Sequence, residues 1–219
     1  MEIASKIEHT NLNPAITIQQ VDQLVAEACE HKFFGICVPP FWVKRAKREI
    51  DKNDITLVTV VGFPFGYNLT ETKIDEAKRT IDNGADEIDW VWNISSFKSD
   101  FPWTKIELAK ASNFIHDQNK ILKVIIETSY LSDEEIAMAC KICEDSGADY
   151  VKTSTGFSDA GASITHILMI RKLLSIAVGI KASGGIKTSE QVLKLLQAGA
   201  DRIGTSSSVH IIQQFNQST

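Results

Sequence analysis

The chain has 219 residues, 43% hydrophobic and 23% charged, with a formal net charge of -5. That composition excludes a largely disordered or fibrous chain and leaves enough residues to bury a sizeable core. Without a basic balance or a long like-charge run, neither a polyelectrolyte tail nor a nucleic-acid-binding role finds support.

Residues 1–6 lack the apolar stretch of a secretory signal. No apolar run approaches the ~20 residues needed to span a bilayer. The expectation is a cytoplasmic protein without a membrane partner. The first β-rich run covers residues 6–10. A helical pattern over 18–31 then places Val21, Leu24, Val25 and Ala28 on one face. Further short apolar runs follow at 34–38, 57–61 and 87–91, the last directly after the phrase Asn83-Gly84-Ala85-Asp86. The fifth run is 122–126. Ser132 reads as an N-cap, with Glu135 completing a capping box. That helix ends in Ser146-Gly147-Ala148-Asp149, and residues 150–154 form the sixth run. The seventh is 179–183. A helix opens at Ser189 and ends in Ala198-Gly199-Ala200-Asp201, and the eighth run is 202–205. Each of these three repeated phrases supplies a glycine that can end a helix in a left-handed conformation.

Eight short strands alternating with helices predict a parallel sheet with crossover helices. Eight units favour closure into a single-domain (β/α)8 TIM barrel spanning residues 1–219. No Gly-rich dinucleotide fingerprint follows the first strand, which weakens the open-sheet alternative. The four cysteines are Cys29, Cys37, Cys140 and Cys143. The Cys140-x-x-Cys143 pair lies in a helical run and has no second pair to complete a metal site, so both read as reduced thiols and no metal is expected.

In such a barrel the site lies at the C-terminal ends of the strands. The polar residues there are Glu8, Cys37, Asp89, Lys123, Lys152 and Lys181. An ionisable group in an apolar strand is costly unless paired or solvated. One lysine could simply snorkel to the rim. Three, with an aspartate, point to chemistry. Neighbouring ammoniums and desolvation both favour a free amine, which attacks carbonyls to give imines. Lys152 and Lys181 are each plausible nucleophiles, and Asp89 could carry protons through a water. Ser183-Gly184-Gly185 and Gly204-Thr205-Ser206-Ser207-Ser208 follow the last two strands, where this fold often holds phosphate. Read singly, each loop could equally be a tight turn with an N-cap.

The chain resembles the deoxyribose-phosphate aldolase family over almost its whole length. The resemblance rests on eight stretches in order. The first four are Ile7-Glu8-His9-Thr10, Gly35-Ile36-Cys37-Val38-Pro39-Pro40, Thr59-Val60-Val61-Gly62-Phe63-Pro64-Phe65-Gly66 and Gly84-Ala85-Asp86-Glu87-Ile88-Asp89. The others begin with Leu122-Lys123-Val124-Ile125-Ile126-Glu127-Thr128 and Gly147-Ala148-Asp149-Tyr150-Val151-Lys152-Thr153-Ser154-Thr155-Gly156. They end with Ile180-Lys181-Ala182-Ser183-Gly184-Gly185 and Arg202-Ile203-Gly204-Thr205-Ser206-Ser207.

The resemblance implies a class I, Schiff-base aldolase acting on 2-deoxy-D-ribose 5-phosphate, with no cofactor and with small phosphorylated sugars and aldehydes as partners. It places Lys152 at the imine position, Lys181 as the lysine that lowers the pKa of the first, and Asp89 in a proton relay. Lys123 lines the site, and Cys37 matches a pocket cysteine that in some members reacts with unsaturated aldehydes. Thr155, Gly184, Gly185, Gly204, Ser206 and Ser207 fall on phosphate-pocket positions. It also suggests a homodimer.

This sequence departs from the family at several points. Glu8 stands where many members have aspartate, Phe157 where some have a phosphate-contacting lysine, and Ser208 where glycine is common. The tail Phe215-Asn216-Gln217-Ser218-Thr219 lacks a tyrosine that reaches the site in some members. Trp90 and Trp92 flank Asp89 and, by strand alternation, face away from the barrel interior as packing groups. The competing readings are an aldolase of different specificity and a catalytically silent sugar-phosphate-binding barrel.

Overall fold

A computed structural model describes residues 3–100 and 102–217. Met1, Glu2, Phe101, Ser218 and Thr219, and the parts of the terminal readings that rest on them, lie outside the described residues. The strands are β1 (Ile7–Thr10), β2 (Gly35–Val38), β3 (Thr56–Val61), β4 (Glu87–Val91), β5 (Ile121–Ile125), β6 (Tyr150–Lys152), β7 (Gly179–Ser183) and β8 (Arg202–Thr205). All pair in parallel and in order, with β8 closing on β1, so the expected barrel forms. The helices are α1 (Ile18–His31), α2 (Val43–Ile50), α3 (Thr70–Asp82), α4 (Ile94–Lys98), α5 (Trp103–Asp117), α6 (Asp133–Asp145), α7 (Ile164–Leu173), α8 (Ser189–Gln197) and α9 (Ser208–Gln217).

Local chemistry accounts for the helix ends. Capping boxes open α1 at Thr17 with Gln20, α6 at Ser132 with Glu135 and α8 at Thr188 with Gln191. Each satisfies backbone donors that the first turn leaves orphaned. Gly84, Gly147 and Gly199 follow α3, α6 and α8 with positive φ, so each turns the chain into the next strand as expected.

Alternation divides the strands into two faces. Ile7, Ile36, Leu57, Ile88, Val124, Val151, Ile180 and Ile203 point outward and pack against the helices, all fully buried. Each such side chain contributes about 1.5–3 kcal/mol relative to exposure. Trp90 and Trp92 belong to this layer. The Trp90 indole donates to Glu107 Oε1 at 2.8 Å, and that of Trp92 donates to the Ile126 carbonyl at 2.9 Å. Cys140 and Cys143 are buried free thiols on α6, packed into the same layer. Among the described residues, no helix is long and apolar enough to cross a membrane.

The inner face differs. Its apolar part is a small cluster of Cys37, Val58 and Val60, with Leu12 and Phe63 against it. Most of its remaining bulky side chains are charged. At the N-terminal end of the strands the Arg202 guanidinium lies 3.1 Å from the centre of the Phe34 ring and donates to the Tyr150 hydroxyl at 3.3 Å. These groups fill the floor of the barrel.

Candidate active site

Strand register brings the charged residues together. Asp89 is paired in register with Lys123, and Lys152 with Lys181. Period-two alternation turns all four inward, along with Glu8 and Glu87. Asp89 sits at the centre, fully buried. Its Oδ1 accepts from Lys123 Nζ at 2.8 Å, and its Oδ2 accepts from Lys152 Nζ at 2.7 Å and Lys181 Nζ at 2.6 Å. Lys181 also donates to Glu8 Oε2. Lys123 is ion-paired with Glu87 at 2.6 Å and lies 3.6 Å from Glu8 Oε1, which is itself 3.8 Å from Arg202.

The electrostatics follow from this geometry. Burial opposes the charged form of Asp89, but the combined pull of Lys123, Lys152 and Lys181 outweighs it and holds the carboxyl well below its usual range. Burial likewise opposes a charged Lys181. The carboxylates of Asp89 and Glu8 overcome it and raise the ammonium above its ordinary value. Lys123 is raised in the same way, against burial, by Asp89, Glu8 and Glu87. Lys181 is therefore a fixed cation sharing one carboxylate oxygen with Lys152.

A cavity of about 520 Å³ opens above this cluster. Lys152, Thr155, Gly184, Gly185, Gly204, Ser206 and Ser207 line it. Glu8, Asp89, Lys123 and Lys181 lie beneath, and Cys37 belongs to the apolar inner cluster. Burial pushes the Cys37 thiol up to about 11.

The phosphate-pocket positions resolve into different roles. Gly185 has a positive φ and open space where a side chain would project, so its backbone is accessible to a ligand. Ser206 and Ser207 stand just before the N-terminus of α9, a favourable place for an anion. Gly204 leaves room for a lysine, because a Cβ there would come within 3.0 Å of Lys181 Cε. Thr155 spends both its donors on Glu127, its N–H at 3.0 Å and its hydroxyl at 2.5 Å. In this arrangement it has no proton left for a phosphate. Phe157 lines the cavity and meets Phe63 edge to face, ring centres 5.2 Å apart.

Sequence reasoning passed over Glu87, Arg202, Glu127 and Lys187. Glu87 and Arg202 lie two residues before Asp89 and Gly204, so alternation alone would have put both on the inner face. Lys187, exposed and lining the cavity, follows the Gly184-Gly185 turn closely enough to have been a candidate anion ligand. Nothing in the local pattern marks Glu127.

The profile described as DeoC/LacD family aldolase matches residues 3–210. The deoxyribose-phosphate aldolase of Thermococcus kodakarensis is 45% identical over 215 residues, covering 97% of this chain and 96% of its own. That of Thermotoga maritima is 45% identical over 212 residues, covering 97% and 85%. A solved tetrameric deoxyribose phosphate aldolase from Aeropyrum pernix superposes with a TM-score of 0.92 at 30% identity, covering 99% of this chain and 92% of that one. With the barrel, the lysine cluster and these likenesses in agreement, the chain belongs to the DeoC/LacD family of aldolases.

Proposed function

We propose that this protein is a class I aldolase that reversibly cleaves 2-deoxy-D-ribose 5-phosphate to D-glyceraldehyde 3-phosphate and acetaldehyde, with Lys152 forming the Schiff base. One observation carries the assignment of the nucleophile. Of the three interior lysines, only Lys152 lines the cavity. It also has the fewest counter-charges, the single Asp89 oxygen that it shares with Lys181. The interior holds four cations, Lys123, Lys152, Lys181 and Arg202, against the carboxylates Glu8, Glu87 and Asp89. The set therefore holds one cation more than it has carboxylates, and Lys152 is the lysine among them with the fewest ion-pair partners.

In the synthetic direction the Lys152 amine attacks acetaldehyde and loses water to give an iminium. The iminium withdraws electrons, so the adjacent carbon releases a proton to water held by Asp89 and Lys181, giving an enamine. The enamine carbon attacks the aldehyde carbon of D-glyceraldehyde 3-phosphate. Hydrolysis of the new imine frees the product and restores Lys152. Cleavage runs the same steps in reverse. Gly185, Ser206 and Ser207 receive the phosphate, and Lys187 supplies the cation that Phe157 does not. We further infer one domain, a cytoplasmic location and a homodimer. Borohydride reduction with 2-deoxyribose 5-phosphate, followed by peptide mass spectrometry, tests the core of the proposal. An adduct is expected on Lys152 and is lost in Lys152→Ala. A folded protein with no lysine adduct would instead be a silent sugar-phosphate-binding barrel.

The Phe63–Phe157 contact favours a second reading, an aldolase of the same chemistry that prefers an uncharged acceptor. A panel of phosphorylated and unphosphorylated aldehydes separates the two.

A further inference from the structure

Glu127 lies just past β5 with φ 52 and ψ 73, a left-handed conformation that costs a non-glycine residue energy and persists only where its surroundings demand it. Its side chain is 2% exposed. Among the described residues no lysine, arginine or histidine lies within ion-pair distance of it. A buried carboxylate without a cation must be satisfied by hydrogen bonds. Glu127 has them: Oε2 accepts from the Thr155 N–H and hydroxyl, and Oε1 accepts from Ser158 Oγ at 3.0 Å. These donors come from the loop that follows Lys152, and Ser129 Oγ, two residues on from Glu127, adds a longer one to Oε1 at 3.4 Å. Thr155 Oγ1 in turn accepts from the Phe157 N–H at 3.1 Å. A chain of hydrogen bonds therefore runs from the end of β5 through Thr155 to Phe157. It fixes the turn whose residues Thr155, Gly156 and Phe157 form one wall of the cavity.

We propose that Glu127 is a positioning residue for the acceptor half of the substrate. Its carboxylate holds the wall formed by residues 155–157 and, by accepting the Thr155 hydroxyl proton, fixes the direction of that hydroxyl. This inference rests on the aldolase reading above. Glu127 lies away from the Lys152–Asp89–Lys181 cluster and shares no hydrogen bond with it. Imine formation with a small aldehyde therefore does not depend on Glu127, whereas binding of the phosphorylated half does.

The test compares wild type, Glu127→Gln, Thr155→Val and the double variant. One assay is borohydride trapping with acetaldehyde alone, and the other is steady-state cleavage of 2-deoxyribose 5-phosphate. In Glu127→Gln the expected result is an unchanged rate of acetaldehyde trapping on Lys152. KM should rise by about ten- to a hundredfold, as for loss of a hydrogen bond to a charged group, with a much smaller change in kcat. Thr155→Val should raise KM similarly, and adding Glu127→Gln to it should raise KM no further, because both act through one contact. An unchanged KM in Thr155→Val overturns the proposal, whether or not Glu127→Gln folds. So does a loss of acetaldehyde trapping in step with the rise in KM, which would mark a general disruption of the barrel top. No adduct in wild type would instead overturn the aldolase reading itself.

Discussion

Replacing Lys152 and Lys181 separately by methionine distinguishes a catalytic cation from a structural one. The interior set contains four cations and three carboxylates. Lys152→Met removes the cation in excess and leaves every carboxylate with an ammonium or guanidinium. Its cost to stability should be within about 1 kcal/mol, a shift in Tm of no more than about 4 °C for a chain of this size. Lys181→Met removes the hydrogen-bond donor to Glu8 and one of the two cations on Asp89 Oδ2. Breaking a buried pair from one side costs about 3–5 kcal/mol. Glu8 would keep only Lys123 at 3.6 Å and Arg202 at 3.8 Å, so a Tm roughly 6–20 °C lower is expected. Activity should order the variants differently. Lys152→Met should lose the covalent route and at least about 10⁴ in kcat, some 5.5 kcal/mol of transition-state stabilisation. Circular-dichroism melts and a coupled assay for released acetaldehyde measure both quantities. If Lys152→Met melts as low as Lys181→Met, or keeps appreciable turnover, the charge assignment is refuted.

The remaining predictions concern titration, reactivity and specificity. Lys181 is raised in the folded state, so its stabilising contribution is complete below the ordinary lysine value of 10.5 and is lost as pH rises through the folded value. Melts above that pH should fall more steeply in wild type than in Lys181→Met, and equal slopes would contradict the pairing. Asp89 is depressed, so its contribution is present above 3.8 and is lost only as pH falls through a still lower folded value. Cys37, with its thiol pushed up to about 11 by burial, should resist iodoacetamide at pH 8 in the folded protein and react on unfolding, as peptide mass spectrometry would show. Phe157→Lys should lower KM for 2-deoxyribose 5-phosphate by roughly two- to fivefold, the worth of one partly exposed ion pair with the phosphate, and the gain should shrink with added salt. An unchanged KM would place the phosphate away from residue 157.

The alternation of short strands and helices was legible because each strand's outward residue is apolar and several helices carry their own caps. The spacing of Val21, Leu24, Val25 and Ala28 marks the 18–31 helix to the residue, and a capping box of Thr17 and Gln20 opens it there. The sixth run was read as reaching residue 154, whereas β6 stops at Lys152. Beyond that point the Thr153 hydroxyl, bonded to the Ser183 carbonyl and N–H, replaces the ladder, and a side chain standing in for backbone leaves no periodic trace. The lysines and Asp89 could be picked out because charge in an apolar strand is costly. Their pairing could not, because Glu8 meets Lys181 across 173 residues of chain. The role of Glu127 was hidden for the same reason. Its partners are set by which loop lies next to it at the barrel top.

The packed floor under Arg202, Phe34 and Tyr150 has a kinetic consequence. A barrel stopped at one end has a single doorway, so everything that reaches Lys152 must leave by the route it entered. In the proposed cleavage, with Lys152 at the bottom of the cavity and the phosphate at its Ser206–Ser207 rim, the phosphorylated fragment stands between the enamine and bulk water. It must clear the passage before the two-carbon fragment can be hydrated and released, so the exit order is imposed by traffic as well as by chemistry.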